Sequence, residues 1–155
     1  MVELKHNYTD GSSGPSGMSR KAVMLGYDGP VRSWDEMAVV TTDSTLNVEA
    51  IDGTPASSFR LWENKTLGKS GRFQLHLPPG DHILTMSFAD NRSSRVRSWS
   101  QSNQDVVIKL VPGQVLHLEK HVNGNTWGVS QYDGSSVTAI IKIDFYNLQR
   151  AHPEN

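Results

Sequence analysis

Between Leu46 and Phe88 the chain repeats one grammar, a short apolar or alternating segment followed by a turn that only Gly, Pro or Asp chemistry closes. Leu46-Asn47-Val48-Glu49-Ala50-Ile51 runs into Asp52-Gly53, and Pro78-Pro79-Gly80-Asp81 introduces His82-Ile83-Leu84-Thr85-Met86-Ser87-Phe88. Asp-Gly supplies the φ > 0 positions of a tight turn, and Pro-Gly sets a bend that no helix crosses. The same alternation recurs to Asp144 through Pro112-Gly113, Asn123-Gly124 and Asp133-Gly134-Ser135. The cleanest period-two pattern is Arg72 to Leu77, with Phe73, Leu75 and Leu77 inward and Arg72, Gln74 and His76 outward. Met37–Thr42, Ser58–Trp62, Asp105–Val111, Gln114–Val122, Asn125–Tyr132 and Val137–Ile143 complete the strand set. Leu46, Val48 and Ala50 are expected on one face of their strand and Asn47, Glu49 and Ile51 on the other. No segment reads as an apolar stripe at helical spacing over the length a stable helix needs. Eight or nine short strands at roughly ten-residue spacing predict an all-β, single-domain antiparallel β-sandwich, with a small β-barrel as the alternative.

At 155 residues the chain suits one domain. Residues 1–25 read as a flexible leader, vector-derived in part, because Gly11-Ser12-Ser13-Gly14-Pro15-Ser16-Gly17 precedes a second methionine, Met18. The domain is expected over 26–148, with 149–155 as a fraying tail. Fifteen Lys and Arg against sixteen Asp and Glu leave a net charge of −1, which gives no footprint for a phosphate backbone and so no nucleic-acid partner. Without cysteine there are no disulfides, thiolate metal sites, Cys nucleophile or lipid-bearing cysteine in the chain as given. No apolar run reaches the ~20 residues of a transmembrane helix, and no signal peptide opens the chain.

The chemistry-bearing residues fall into weak constellations. His117 and His121 have H-x-x-x-H spacing, but in a strand the two stand ~13 Å apart, too far for one ion. His76, Asp81 and His82 flank the Pro-Pro-Gly turn and form the one candidate, weak, for a divalent metal. The competing reading has His82 packing its ring and bonding a carbonyl to fix that turn. Gly68-Lys69-Ser70 lacks the glycine that a phosphate-binding loop needs five positions earlier, where Glu63 stands. No Gly-x-Ser-x-Gly elbow marks a nucleophile, and Asp28, Asp52, Asp81 and Asp133 adjoin Gly or Pro and read as turn formers. Asn7, Asn64 and Asn91 match the N-x-S/T pattern, which matters only in a eukaryotic secretory setting. Arg92, Arg95, Arg97 and Trp99 make a basic-aromatic patch that stacks on a ring or guards a sheet edge. Of Trp34, Trp62, Trp99 and Trp127, Trp62 is the best candidate for exposure. The ligand-binding candidates are therefore Trp62, Arg95, Arg97 and Trp99, with no catalytic residue and no cofactor assigned.

Residues 26–144 resemble a group of small bacterial envelope proteins, often lipoproteins. The resemblance is carried by Gly29-Pro30 with Arg32, Asp35-Glu36 with Ala38-Val39-Val40, Ala50-Ile51-Asp52-Gly53, Leu77-Pro78-Pro79-Gly80-Asp81-His82, Pro112-Gly113-Gln114, Trp127 and Asp133. The Ile-Asp-Gly and Leu-Pro-Pro-Gly-x-His elements are similar to PEGA-type surface modules, which are small β-sandwiches. The chain departs from such lipoproteins at Gly17-Met18-Ser19-Arg20, where they carry a lipidated cysteine. The resemblance implies a periplasmic or envelope location. The expected function is a non-enzymatic interaction or structural module with a protein or glycan partner. A carbohydrate- or peptidoglycan-binding module using exposed tryptophans is the alternative, and a small metal-dependent hydrolase comes third. A homodimer through a sheet edge is compatible with the pattern.

Overall fold

The computed structural model describes residues 22–63, 73–90, 98–99 and 102–151. The chain is mostly β, in two sheets, with one short helix. It visits the sheets in turn. β1 (Ala22–Leu25) and β2 (Ala38–Thr42) lie in the first sheet, and β3 (Leu46–Ile51) and β4 (Thr54–Pro55) in the second. β5 (Arg60–Glu63) and β6 (Gln74–Leu77) return to the first, and β7 (Gly80–Asp90), β8 (Ser98–Trp99) and β9 (Gln104–Leu110) to the second. β10 (Val115–Asn123) and β11 (Thr126–Asp133) close the first sheet before α1 (Thr138–Ala151).

The first sheet has the order β11-β10-β2-β6-β1-β5 and the second β4-β3-β7, with β8 and β9 both on β7. An all-antiparallel arrangement is not what forms. β1 runs parallel to β6 and β2 parallel to β10. The reason is the alternation between sheets: each parallel partner re-enters the first sheet after the chain has crossed the second, and such long crossovers are what parallel pairing requires.

One core fills the space between the sheets. Met24, Val40, Leu75 and Leu77 face Leu46, Val48, Leu84, Met86, Val106 and Ile108 across it. The strand readings hold for β7, where Leu84, Met86 and Phe88 are buried and Ile83 is exposed. In β3 the alternation changes phase. A bulge between Val48 and Ala50 inserts one residue, so Ile51 rather than Ala50 reaches the core. The Ile51-Asp52-Gly53-Thr54 turn has φ of 51° at Asp52 and 83° at Gly53, the paired positive values of a type I′ hairpin.

A second core lies on the other face of the first sheet, beneath α1. Ile141, Phe145 and Leu148 pack on Val23, Leu25, Met37, Val39 and Val115. The strand expected over Val137–Ile143 is therefore a helix, entered through a 3₁₀ turn at Ser135–Val137. Its β-branched run reads as a strand, and its buried stripe is interrupted by Asp144, so the i, i+4, i+7 spacing of Ile141, Phe145 and Leu148 is concealed. The described elements run from Ala22 to Ala151.

Because Phe145 is 2 % exposed and touches rings on two sides, Phe145→Ala should cost about 3–5 kcal/mol. Chemical denaturation with far-ultraviolet circular dichroism checks this, and a loss below about 1 kcal/mol would show that α1 is not part of the cooperative unit.

Candidate functional site

β6 is buried on both faces, so the residues that read as its solvent side, Gln74 and His76, lie under α1 with no exposure. They satisfy one another in a directed chain. The Gln74 amide nitrogen donates to Asp144 Oδ2, which leaves its carbonyl oxygen to accept from His76 Nε2 at 2.9 Å. That order fixes the imidazole as the Nε2–H tautomer, with Nδ1 carrying a lone pair. Nδ1 has no hydrogen-bond partner among the described residues. Phe145 stacks on the His76 ring at 4.1 Å with an interplanar angle of 2°, and Trp34 meets Phe145 edge-on at 5.4 Å. Burial lowers the His76 pKa from 6.5 to about 3, so the ring is neutral at pH 7.

His82 does the work the turn reading assigns it. Nδ1 lies 2.7 Å from Asp52 Oδ2 and Nε2 lies 2.7 Å from the Pro78 carbonyl. Both partners accept, so the ring serves both only when doubly protonated. Asp52 also takes the Ile83 amide at 2.8 Å, and its own amide donates to the Ile83 carbonyl at 2.8 Å. Partial burial pushes the Asp52 carboxyl up, but the His82 hydrogen bond, the Ile83 amide and the His82 charge outweigh it and hold the group below 3.8. His76 is sealed under α1, His82 is tied to Asp52 and Asp81 is exposed, so the three metal candidates are not brought together. Among the described residues no group of three or more His, Asp or Glu is placed to hold a metal ion.

Trp62 is half-buried and packs against the second core instead of standing free. Arg95 and Arg97 lie outside the described residues. Of Trp99 only its strand pairing with Ala89 is described. Trp127 packs on Phe88 at 5.0 Å and donates from Nε1 to the Ser102 carbonyl at 3.3 Å.

The residues that do converge on a cleft come from another place. Strand register lines up Trp62, Val23, Gln74, Thr41, His117 and Tyr132 as one row across the helix-side face of the first sheet. α1 covers the row as far as β2, and beyond it the row opens to solvent: Tyr132 is 50 % exposed. A cleft of about 130 Å³ opens there, lined by Thr41, His117, Asp133, Gly134, Ser136 and Val137.

Three local devices set its geometry. Asp43 accepts the amides of Thr45 at 2.7 Å and Lys120 at 2.6 Å, and its own amide donates to the Leu118 carbonyl, which locks the β2–β10 register that puts Thr41 opposite His117. Gly134 passes so close to β10 that an added Cβ would stand 2.8 Å from Val115 Cγ1. Asp133 accepts the Ser135 amide at 3.1 Å and its hydroxyl at 2.8 Å, starting the 3₁₀ turn into α1.

Thr41 Oγ1 lies 2.8 Å from His117 Nδ1, and His117 Nε2 lies 3.2 Å from Glu119 Oε2. With Nε2–H donating to the carboxylate, the Thr41 hydroxyl donates to Nδ1. The order hydroxyl, imidazole, carboxylate is the one used in nucleophilic catalysis. Here, however, Thr41 is 1 % exposed. The nearby amides of Gly134 and Ser135 are committed to the Val115 carbonyl and to Asp133, so they are not aimed at a reacting oxygen.

The extended placement of His117 and His121 in β10 matches the strand reading, and His121 Nδ1 lies 2.8 Å from Ser130 Oγ. The sequence places Thr41 and Tyr132 in strands and Asp133 at a turn, and it marks none of them, nor Ser136, as a site residue. Thr41 and His117 are 76 residues apart, and only the parallel β2–β10 register makes them neighbours. Compared with family models, curated proteins and solved structures, the chain matches none.

Two predictions follow from these bonds. The unfolded state binds a proton on His76 below pH 6.5 and the folded state only near pH 3, so this residue's contribution to stability falls as pH drops from 6.5 toward 3. Replacing His76 by Phe should remove up to about 1.4 kcal/mol per pH unit of that slope, measured by urea unfolding across the window. For Gly134→Val, a fall of about 1–3 kcal/mol is expected from the forced shift against Val115, and thermal unfolding reads it.

Proposed function

We propose that this protein is a non-enzymatic β-sandwich interaction module of the bacterial envelope. The observation that carries the reading is the half-covered face of the first sheet. α1 covers it over β1, β6 and β2, while Glu119, His121 and Tyr132 stand open on β10 and β11. That open polar half is accessible to a partner, and the β10–β11 pair that carries it is antiparallel. The residues that would serve acid–base chemistry are engaged in the fold, with Asp52 and His82 clamping a hairpin and Gln74, His76 and Asp144 bonded beneath the helix.

The sandwich reading, over a barrel, is supported where the sheets meet. Among the described residues β11 meets β9 and the segment before it through side chains, Gln131 Nε2 to the Val107 carbonyl at 3.0 Å and Trp127 to the Ser102 carbonyl, and not through a backbone ladder. The envelope assignment rests on the Ile-Asp-Gly and Leu-Pro-Pro-Gly-x-His elements. Among the described residues no helix is long and apolar enough to cross a membrane, so retention there falls to a surface contact or to an anchor.

Co-sedimentation with washed bacterial envelopes tests the reading. The wild-type chain should pellet with envelopes and not alone, and the double substitution Glu119→Lys with His121→Glu on the open face should weaken retention about tenfold. Equal recovery in the supernatant with and without envelopes, or retention indifferent to that face, would overturn it.

A further inference from the structure

The proposal here rests on the interaction-module reading and names what its open face holds: we propose that the cleft between β2, β10 and the start of α1 is a binding site for one ring of a neutral saccharide.

The argument begins with charge. An anion entering the cleft would meet the Asp133 carboxylate, with Glu119 bonded on the far side of His117. A simple cation would use the Asp133 oxygens alone, both of which also accept from Ser135, and would take nothing from the exposed Ser136 donor. What remains suits a neutral group that both gives and takes hydrogen bonds. Each carboxylate oxygen keeps a lone pair beyond the one Ser135 uses. The exposed Ser136 hydroxyl supplies a donor that turns freely. A ligand carrying several hydroxyls satisfies both at once.

Shape points the same way. Tyr132 is directly opposite His117 in the β10–β11 register, so the two side chains share a face, and half of the tyrosine is open to solvent. A tyrosine ring gives an apolar body for the C–H face of a sugar and a polar tip beyond it. Val137 supplies the apolar wall of the cleft itself, and Tyr132 stands beside the cleft on the same face. The cleft is about 130 Å³ and opens to solvent. A longer glycan would seat one unit there and run along β10 past Glu119 and His121.

The site is unlike the tryptophan-and-arginine surface expected from the sequence. It uses none of Trp62, Arg95, Arg97 or Trp99.

Amide-resolved NMR titration of the full chain tests it, with glucose and N-acetylglucosamine as probes and methylammonium and inorganic phosphate as charged controls. Saturable shifts at His117, Tyr132 and Ser136 are expected with at least one sugar and with neither control, and Tyr132→Ala should weaken that binding about tenfold. Ser136→Ala, at an exposed position, provides a second variant whose fold is not at stake. It should weaken binding while leaving the thermal midpoint unchanged. Saturable shifts from phosphate or methylammonium in place of sugar, or none from either sugar, would overturn the assignment. Envelope retention read in parallel separates the two failures. Retention without a sugar response overturns the saccharide site alone, and absence of both overturns the interaction-module reading as well.

Discussion

The structure depends on β6 being buried from both sides. Phe73, just before it, and Leu75 and Leu77 within it fill the space between the sheets, while Gln74 and His76 point the other way into a second interior. A strand with two dry faces needs a cover on each, and a polar residue on a dry face needs a partner. α1 meets both needs. It brings Ile141, Phe145 and Leu148 for the apolar area and Asp144 for the amide, in one helix of 14 residues. The position of α1 then decides how much of the sheet is left open, and so where a cleft can exist.

Much of the fold is legible in the sequence because it is local. Asp52-Gly53 makes the turn its chemistry demands, and the Leu84-Met86-Phe88 alternation lands on the core face. His82 bonds the Pro78 carbonyl as a turn-fixing histidine should. What is not legible is non-local. The alternation of Arg72 to Leu77 gives the right period but cannot say that its polar side will be covered, since the cover lies about seventy residues away. The helix itself is disguised by β-branched residues and by an aspartate in its buried stripe, a case of tertiary packing overriding local propensity.

The cleft is illegible for the same reason in stronger form. Its residues come from β2, β10 and the turn before α1, and none belongs to a motif. Asp133 was readable as a turn former, which it is, but its second role, lining a cavity, depends on Gly134 pressing against Val115. The tryptophans, by contrast, draw attention in the sequence and prove to be packing residues where their side chains are described: Trp34 against Phe145, Trp62 in the second core and Trp127 against Phe88.

The polar row beneath α1 has a consequence for the order in which the chain leaves the ribosome. α1 is the last element described, so during synthesis the first sheet exists, or begins to assemble, before its outer face has a cover. An all-aliphatic face would be an adhesive surface for that whole interval, with neighbouring nascent chains as its ready partners. Thr41, Gln74 and His76 interrupt that apolar face between Val23, Leu25, Val39 and Val115, and each can bond to water until its eventual neighbour arrives. Their burial beneath Asp144 and Phe145 costs the finished molecule some stability, which the bonds within the row offset in part.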